Sequence, residues 1–188
     1  MCTCMVFQSH EENLVSDDTN GKRAVFVRDL AAGTTSRVSV SSREQQGRGT
    51  TRANDIRANG RFIVSGTTSR LVPHERAGLF VRDMRRGVTR KICGNRDGRN
   101  PRADDPHLFA DGRQVSFESH DSDVVRGDHN APVVFVCNFE SGRIRRVSVT
   151  STGREVSGGS SGAGSISGTS ARCRGILLLR VIARGGGA

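Results

Sequence analysis

The sequence has no tryptophan, no tyrosine and few lysines, and these absences limit which residues can form its core and carry its positive charge. Without Trp and Tyr, its core must be built from valine, isoleucine, leucine and the 8 phenylalanines. Among 29 basic residues, only Lys22 and Lys91 are lysines. The longest uncharged apolar run, 131–137, is too short to cross a bilayer, so no membrane span is predicted.

Recognisable chemical motifs are also scarce. The 5 cysteines have an irregular spacing that matches no disulfide framework and no zinc site, so we expect free thiols. They are Cys2, Cys4, Cys93, Cys137 and Cys173. The chain contains no phosphate-binding loop, no dinucleotide fingerprint and no nucleophile elbow. These absences predict a protein that is not an enzyme.

The charge is strongly positive, with a net value of +10 and a sequence pI near 11.0. A basic balance favours an acidic polymer as partner, but GC-rich coding DNA gives the same excess of arginine. The arginines are spread along the chain rather than clustered, so a nucleic-acid partner is not expected. The 23 glycines favour short strands and many turns over long helices.

A segment of alternating residues occurs three times at nearly constant spacing. The three copies are 26–40, 80–93 and 135–149. Each begins with a strand-like run, continues through a glycine turn and ends in a second strand-like run. The turn glycines are Gly33, Gly87 and Gly142, and each fits a hairpin position that needs a positive φ.

A second repeated pattern lies between these copies, in the segments 54–66 and 106–119. Both contain a short strand, an Asx-Gly-Arg turn and an alternating strand. Asn59-Gly60 and Asp111-Gly112 are strong hairpin signals. One full unit is therefore a four-stranded antiparallel meander, and repeats of this unit build the blades of a β-propeller.

Counting units predicts an all-β fold, a partial β-propeller of four-stranded antiparallel blades. A partial blade covers 5–40 and lacks its first strand, complete blades cover 54–93 and 106–149, and 164–168 starts another. The segment 169–188 loses the pattern and reads as a degenerate or frameshifted tail. The incomplete propeller as a whole covers 5–168.

These repeats resemble the bacterial TolB-like, or WD40-like, propeller repeats. The resemblance is carried by "NLVSDDTNGKRAVFVRD", "ADGRQVSF" and "SGRIRRVSV". It implies a binding or scaffold module, and family members are typically extracytoplasmic, although this chain shows no signal peptide. Closed propellers have four to eight blades, so we expect a fragment of a larger protein.

The expected function is non-enzymatic binding of a protein or a glycan. One alternative is an accessory propeller of a carbohydrate-active enzyme or a peptidase whose catalytic part is absent. The other alternative is a basic polyanion-binding protein. Open blade edges also predict self-association.

Two loops carry acidic and amide side chains at similar places in the repeat. The candidate oxygen ligands are Asp17, Asp18 and Asn20 in one loop and Asp123, Asp128 and Asn130 in the other. Calcium binds such oxygens on flexible loops, so calcium is the one candidate cofactor. The same residues are also common turn formers, and no EF-hand spacing occurs. Both interpretations stay open from sequence.

Other repeated residues have simpler structural interpretations. His10 and His120 occupy matching positions beside a serine, but the repeat itself explains this, and no catalysis is expected there. We expect each arginine of the repeated Arg-Asp pair to contact a neighbouring strand, and each aspartate to stabilise the turn. The repeated phenylalanines should form the core; they are Phe26, Phe62, Phe80, Phe117 and Phe135.

Overall fold

A computed structural model describes residues 3–57, 60–75, 77–127 and 133–154. These residues form eleven β-strands and no helix. The first strands are β1 (Cys4–Ser9), β2 (Ala24–Asp29) and β3 (Thr34–Arg37). The next are β4 (Thr51–Arg57), β5 (Phe62–Thr67), β6 (Gly78–Asp83) and β7 (Val88–Lys91). The last are β8 (Asp104–Leu108), β9 (Gln114–Ser119), β10 (Val133–Asn138) and β11 (Arg143–Arg146).

The strands form three antiparallel sheets in which neighbours in sequence are neighbours in space. The first sheet contains β1–β3, the second β4–β7 and the third β8–β11. The predicted all-β class is therefore confirmed. Three Cα pairs occupy the same place in successive sheets: Phe26 with Arg37, Phe80 with Lys91, and Phe135 with Arg146. The predicted start of a further blade (164–168) and the tail (169–188) lie outside the described residues.

Glycine closes the hairpins as the repeat predicted. Gly33, Gly87 and Gly142 have φ values of 65°, 64° and 71°, which glycine adopts without a steric penalty. Gly112 has the same left-handed conformation in the predicted Asp111-Gly112 turn. Asn59 of the matching turn lies outside the described residues.

The sheets pack face to face in chain order through two apolar clusters. The smaller cluster joins Val25 and Val27 of the first sheet, and Val38 just after that sheet, to Ile63 of the second sheet. The larger cluster joins the opposite face of the second sheet to the third. All five predicted core phenylalanines are buried.

Repeated polar residues support the turns and strands as predicted. Arg28 Nη1 donates to Thr35 Oγ1 of the adjacent strand at 3.0 Å, and Arg82 Nη1 donates to Thr89 Oγ1 at 3.1 Å. The Oδ1 atom of Asp29 accepts two main-chain N–H groups of the following turn. These two structural roles are confirmed.

The free-thiol prediction was wrong for three cysteines. Cys93, just after β7, forms a disulfide with Cys137 in β10, with Cα atoms 6.3 Å apart. Cys4 is also disulfide-bonded. The Cys93–Cys137 pair meets across two sheets, a proximity that linear spacing does not reveal. Cys2 and Cys173 lie outside the described residues.

The Cys93–Cys137 disulfide lies at a position that has an equivalent in the preceding sheet. In β6, Arg82 holds the same position as Cys137 in β10, and it contacts the segment that follows β3. Arg82 donates to Ser41 O at 3.2 Å and forms an ion pair with Glu44. One junction between sheets is therefore hydrogen-bonded and ionic, while the next is covalent.

As expected from the short apolar runs, the described part of the chain contains no helix long and apolar enough to cross a membrane.

Candidate functional site

A cavity of about 1110 Å³ opens at the end of the molecule where β4 and β8 begin and β5 ends. Residues from all three sheets and from the loops between their strands form its wall. The main chain joins sheets at this end, since Thr51 N donates to Arg23 O at 2.8 Å. The cavity is therefore made by the packing of the sheets on one another.

The segment 95–102, here called the arch, forms one wall of the cavity. Two aspartates of the loop after β9 fix its ends. Asp123 Oδ2 accepts a hydrogen bond from Asn95 Nδ2 at 2.6 Å, and Asp121 Oδ2 accepts one from Arg102 N at 2.8 Å. These two carboxylates bind the arch itself, and this positions the side chains between them.

Asn100, in the middle of the arch, is the most informative residue of the site. It is 5% exposed, and neither its Oδ1 nor its Nδ2 has a hydrogen-bond partner among the described residues. Gly78 allows this placement, because a Cβ there would lie 2.7 Å from Asn100 Cγ and Nδ2. Leaving a buried amide unpaired costs about 1–3 kcal/mol, so such a group in a cavity wall is expected to pair with an ordered water or with a ligand.

The cavity is polar and carries both charges. Four arginines line it, namely Arg23, Arg52, Arg99 and Arg102. None of them forms an ion pair within the described residues. Asp104 and Asp105 lie at the same end, and Asp105 has a φ of 45°, a strained conformation for a residue other than glycine.

Each residue of the first set of predicted calcium ligands lies near a donor group of the chain. Asp17 Oδ2 lies 2.7 Å from Arg37 Nη2, and Asp18 Oδ1 lies 3.0 Å from Arg37 Nη1. Asn20 Oδ1 accepts from Lys22 N at 2.9 Å. A buried guanidinium therefore already faces both carboxylates.

In the second set, Asp123 accepts from the arch, while Asp128 and Asn130 lie outside the described residues. The part of the chain that the structure describes has no cluster of three or more His, Cys, Asp or Glu that could hold a metal. Calcium binding stays a prediction from sequence.

The two matching histidines have different surroundings. His10 lines the cavity, and its Nε2 accepts a hydrogen bond from Arg23 Nε at 3.1 Å. His120 is exposed, with Nε2 3.8 Å from Glu118 Oε1.

Sequence reasoning missed the arch, although its composition carries a signal. The stretch "NRDGRNPR" contains three arginines, two asparagines and an aspartate between two strands. In addition, Asn100 precedes a proline, which favours an extended main chain at that residue. What the sequence could not reveal is that Asn100 is buried, since this depends on the contact with Gly78.

Comparison with known proteins adds little to this geometry. No family model matches the chain, and no curated protein matches it. Among solved structures, the chain is similar to the tricorn protease at 14% identity and a TM-score of 0.47, over 79% of this chain and 12% of that chain. Similarity of this degree supports no inference about activity, substrate or partners.

Proposed function

We propose that the chain is a non-enzymatic binding module, built as an incomplete β-propeller, that takes its ligand in the cavity at the arch. In this proposal the three sheets are blades, of which the first has three strands within the described residues. The shared register of the three sheets and their face-to-face packing in chain order support it.

The observation that carries the binding proposal is Asn100. A buried amide with two unpaired polar atoms is expected where a ligand supplies the missing hydrogen bonds. His10, a histidine of the wall, already accepts a hydrogen bond from Arg23, so this side chain gives no support to a catalytic role of the cavity. A general base must instead be free to accept a proton from a nucleophile.

An occlusion experiment tests the proposal. Ala77 is exposed and lines the cavity, so Ala77→Trp fills space there without disturbing the core. Ala31, exposed in the turn after β2, provides the matched control Ala31→Trp. The labelled chain and both variants are applied to an array of peptides, oligosaccharides and heparin, after circular dichroism has shown equal folding.

We expect at least one ligand of the array to bind the wild type and Ala31→Trp equally and to bind Ala77→Trp at least about tenfold more weakly. Binding that is equal in both variants, or an array without any ligand, would contradict a cavity-binding function.

A further inference from the structure

We propose that the cavity selects an acidic peptide, whose main chain pairs with Asn100 and whose carboxylates pair with the arginines around it. This inference rests on the proposed function and names the ligand class of the same site. It is argued from three properties of the wall: the amide of Asn100, the unpaired guanidinium groups and the neighbouring aspartates.

Asn100 offers one acceptor atom and one donor group, side by side and buried. A peptide residue in extended conformation presents the complementary pair, an N–H group and a C=O group. The amide lies between the arch and Gly78, and a ligand that pairs with it there must bring both partners. A single anion, which only accepts hydrogen bonds, would leave Asn100 Oδ1 unpaired.

The arginines of the cavity differ from several others in the chain in having no carboxylate partner. Arg37, Arg61 and Arg82 are each ion-paired within 4.0 Å. Arg99 and Arg102 form no such pair within the described residues. The nearby Asp121 accepts from the main chain of the arch, and Asp123 accepts from Asn95. Guanidinium groups bind carboxylates through two parallel hydrogen bonds, so they favour an acidic ligand.

The aspartates and the scarcity of aromatic rings in the wall favour a peptide over a polyanion. Asp104 and Asp105 lie on the same cavity and repel a ligand that is negative at every unit, such as heparin or nucleic acid. Among the described lining residues the one aromatic ring is the imidazole of His10, which is hydrogen-bonded to Arg23, whereas proteins that bind single-stranded nucleic acid stack successive bases on several rings. A peptide alternates carboxylates with N–H donors and can satisfy both charges of the wall.

The test uses the full chain and a fluorescein-labelled peptide of alternating glutamate and alanine, at physiological salt. A peptide of alternating glutamine and alanine is the uncharged probe, and heparin is the polyanion. Arg99→Gln/Arg102→Gln is compared with Arg143→Gln/Arg145→Gln, which changes net charge equally at exposed positions of β11. Asn100→Asp keeps the shape of the side chain and removes its N–H donor.

We expect the glutamate peptide to bind more tightly than the glutamine peptide. Arg99→Gln/Arg102→Gln should weaken its binding about 10- to 100-fold and Asn100→Asp about tenfold, while the β11 variant stays within about twofold of the wild type.

Equal losses in the two arginine variants, or tighter binding of heparin than of the glutamate peptide, would overturn the inference in favour of general polyanion binding. If the glutamate peptide does not bind, but another array ligand is lost in Ala77→Trp, the cavity function stands and the acidic-peptide class falls. If Ala77→Trp weakens the binding of no ligand, both the cavity function and the acidic-peptide class are wrong.

Discussion

Asp83 and Asn138 close the same turn in successive repeats with different charges. The Oδ1 atom of each accepts hydrogen bonds from two main-chain N–H groups, at 3.0 to 3.3 Å. Asp83 Oδ2 also accepts a hydrogen bond from Arg61 Nη2 at 2.9 Å. Burial raises the pKa of Asp83, but the hydrogen bonds from Arg61 and from the turn outweigh it and hold this pKa below its ordinary value.

Asp83→Asn should therefore flatten the acid dependence of stability. Because the pKa of Asp83 is lowered on folding, its charge stabilises the fold above the ordinary aspartate pKa of about 3.9, and this stabilisation disappears as pH falls through the folded-state pKa. The variant should lose about 1 kcal/mol at neutral pH, since Arg61 is partly exposed.

Urea titrations at neutral pH and below about pH 4 measure this difference. Asp97→Asn, at an exposed aspartate, is the control for the loss of one charge. A variant whose stability falls in acid as steeply as that of the wild type would contradict the role assigned to Asp83.

At the scale of the element, the junction between the first two sheets depends on Arg82. Besides Ser41 and Glu44, its Nη1 donates to Gly87 O at 2.8 Å, and its side chain is 8% exposed. Arg28 has the same place in β2 and the same contact with the next strand. No segment of a preceding sheet packs on Arg28 among the described residues.

This difference predicts unequal costs for one substitution at two equivalent positions. Arg82→Met should lower the free energy of unfolding by about 2–3 kcal/mol, because several hydrogen bonds to a buried charge are lost. Arg28→Met should lower it by less than about 1 kcal/mol, since it removes one hydrogen bond at a partly exposed site. Denaturant unfolding of the two variants provides the comparison, and similar losses would refute the proposed importance of the junction.

Within an element, the sequence predicted structure well because the signals are local. The alternation around Phe80 and the glycine after it determine a strand and a turn whatever lies elsewhere in the chain. A further local repeat was missed: the N–H groups of Ser41, Asn95 and Thr150 each donate to the carbonyl four residues later, at 2.7 to 2.9 Å. Its three copies share little sequence beyond a polar first residue and therefore give a weak signal.

Contacts between elements could not be predicted in the same way. Cys93 and Cys137 are 44 residues apart, and only the stacking of the sheets brings them together. Asn100 lies on the cavity for the same reason. The repeat aligns Cys137 with Arg82, but the alignment does not reveal that Cys93 is its partner.

At the scale of the whole molecule, the Cys93–Cys137 disulfide should be a major source of stability. Closing a loop of this length restricts the unfolded chain and stabilises the fold by about 4 kcal/mol on the chain-entropy account. The test is made in a Cys4→Ala background, which removes another disulfide-bonded cysteine. There, a reductant should lower the melting temperature of the chain but leave that of Cys93→Ala/Cys137→Ala unchanged. If reductant changes the melting temperature of neither protein, the disulfide is not a major source of stability.

Because the two junctions between sheets differ, we expect the sheets to separate in a fixed order when the protein unfolds. The contact between the first and second sheets includes the exposed carboxylate of Glu44, so dissolved ions weaken it. Salt cannot break the bond between the second and third sheets, but an electron donor can. In an oxidising medium the first sheet, which has three strands within the described residues, should therefore detach first, and the other two should separate last, as a covalently tethered pair.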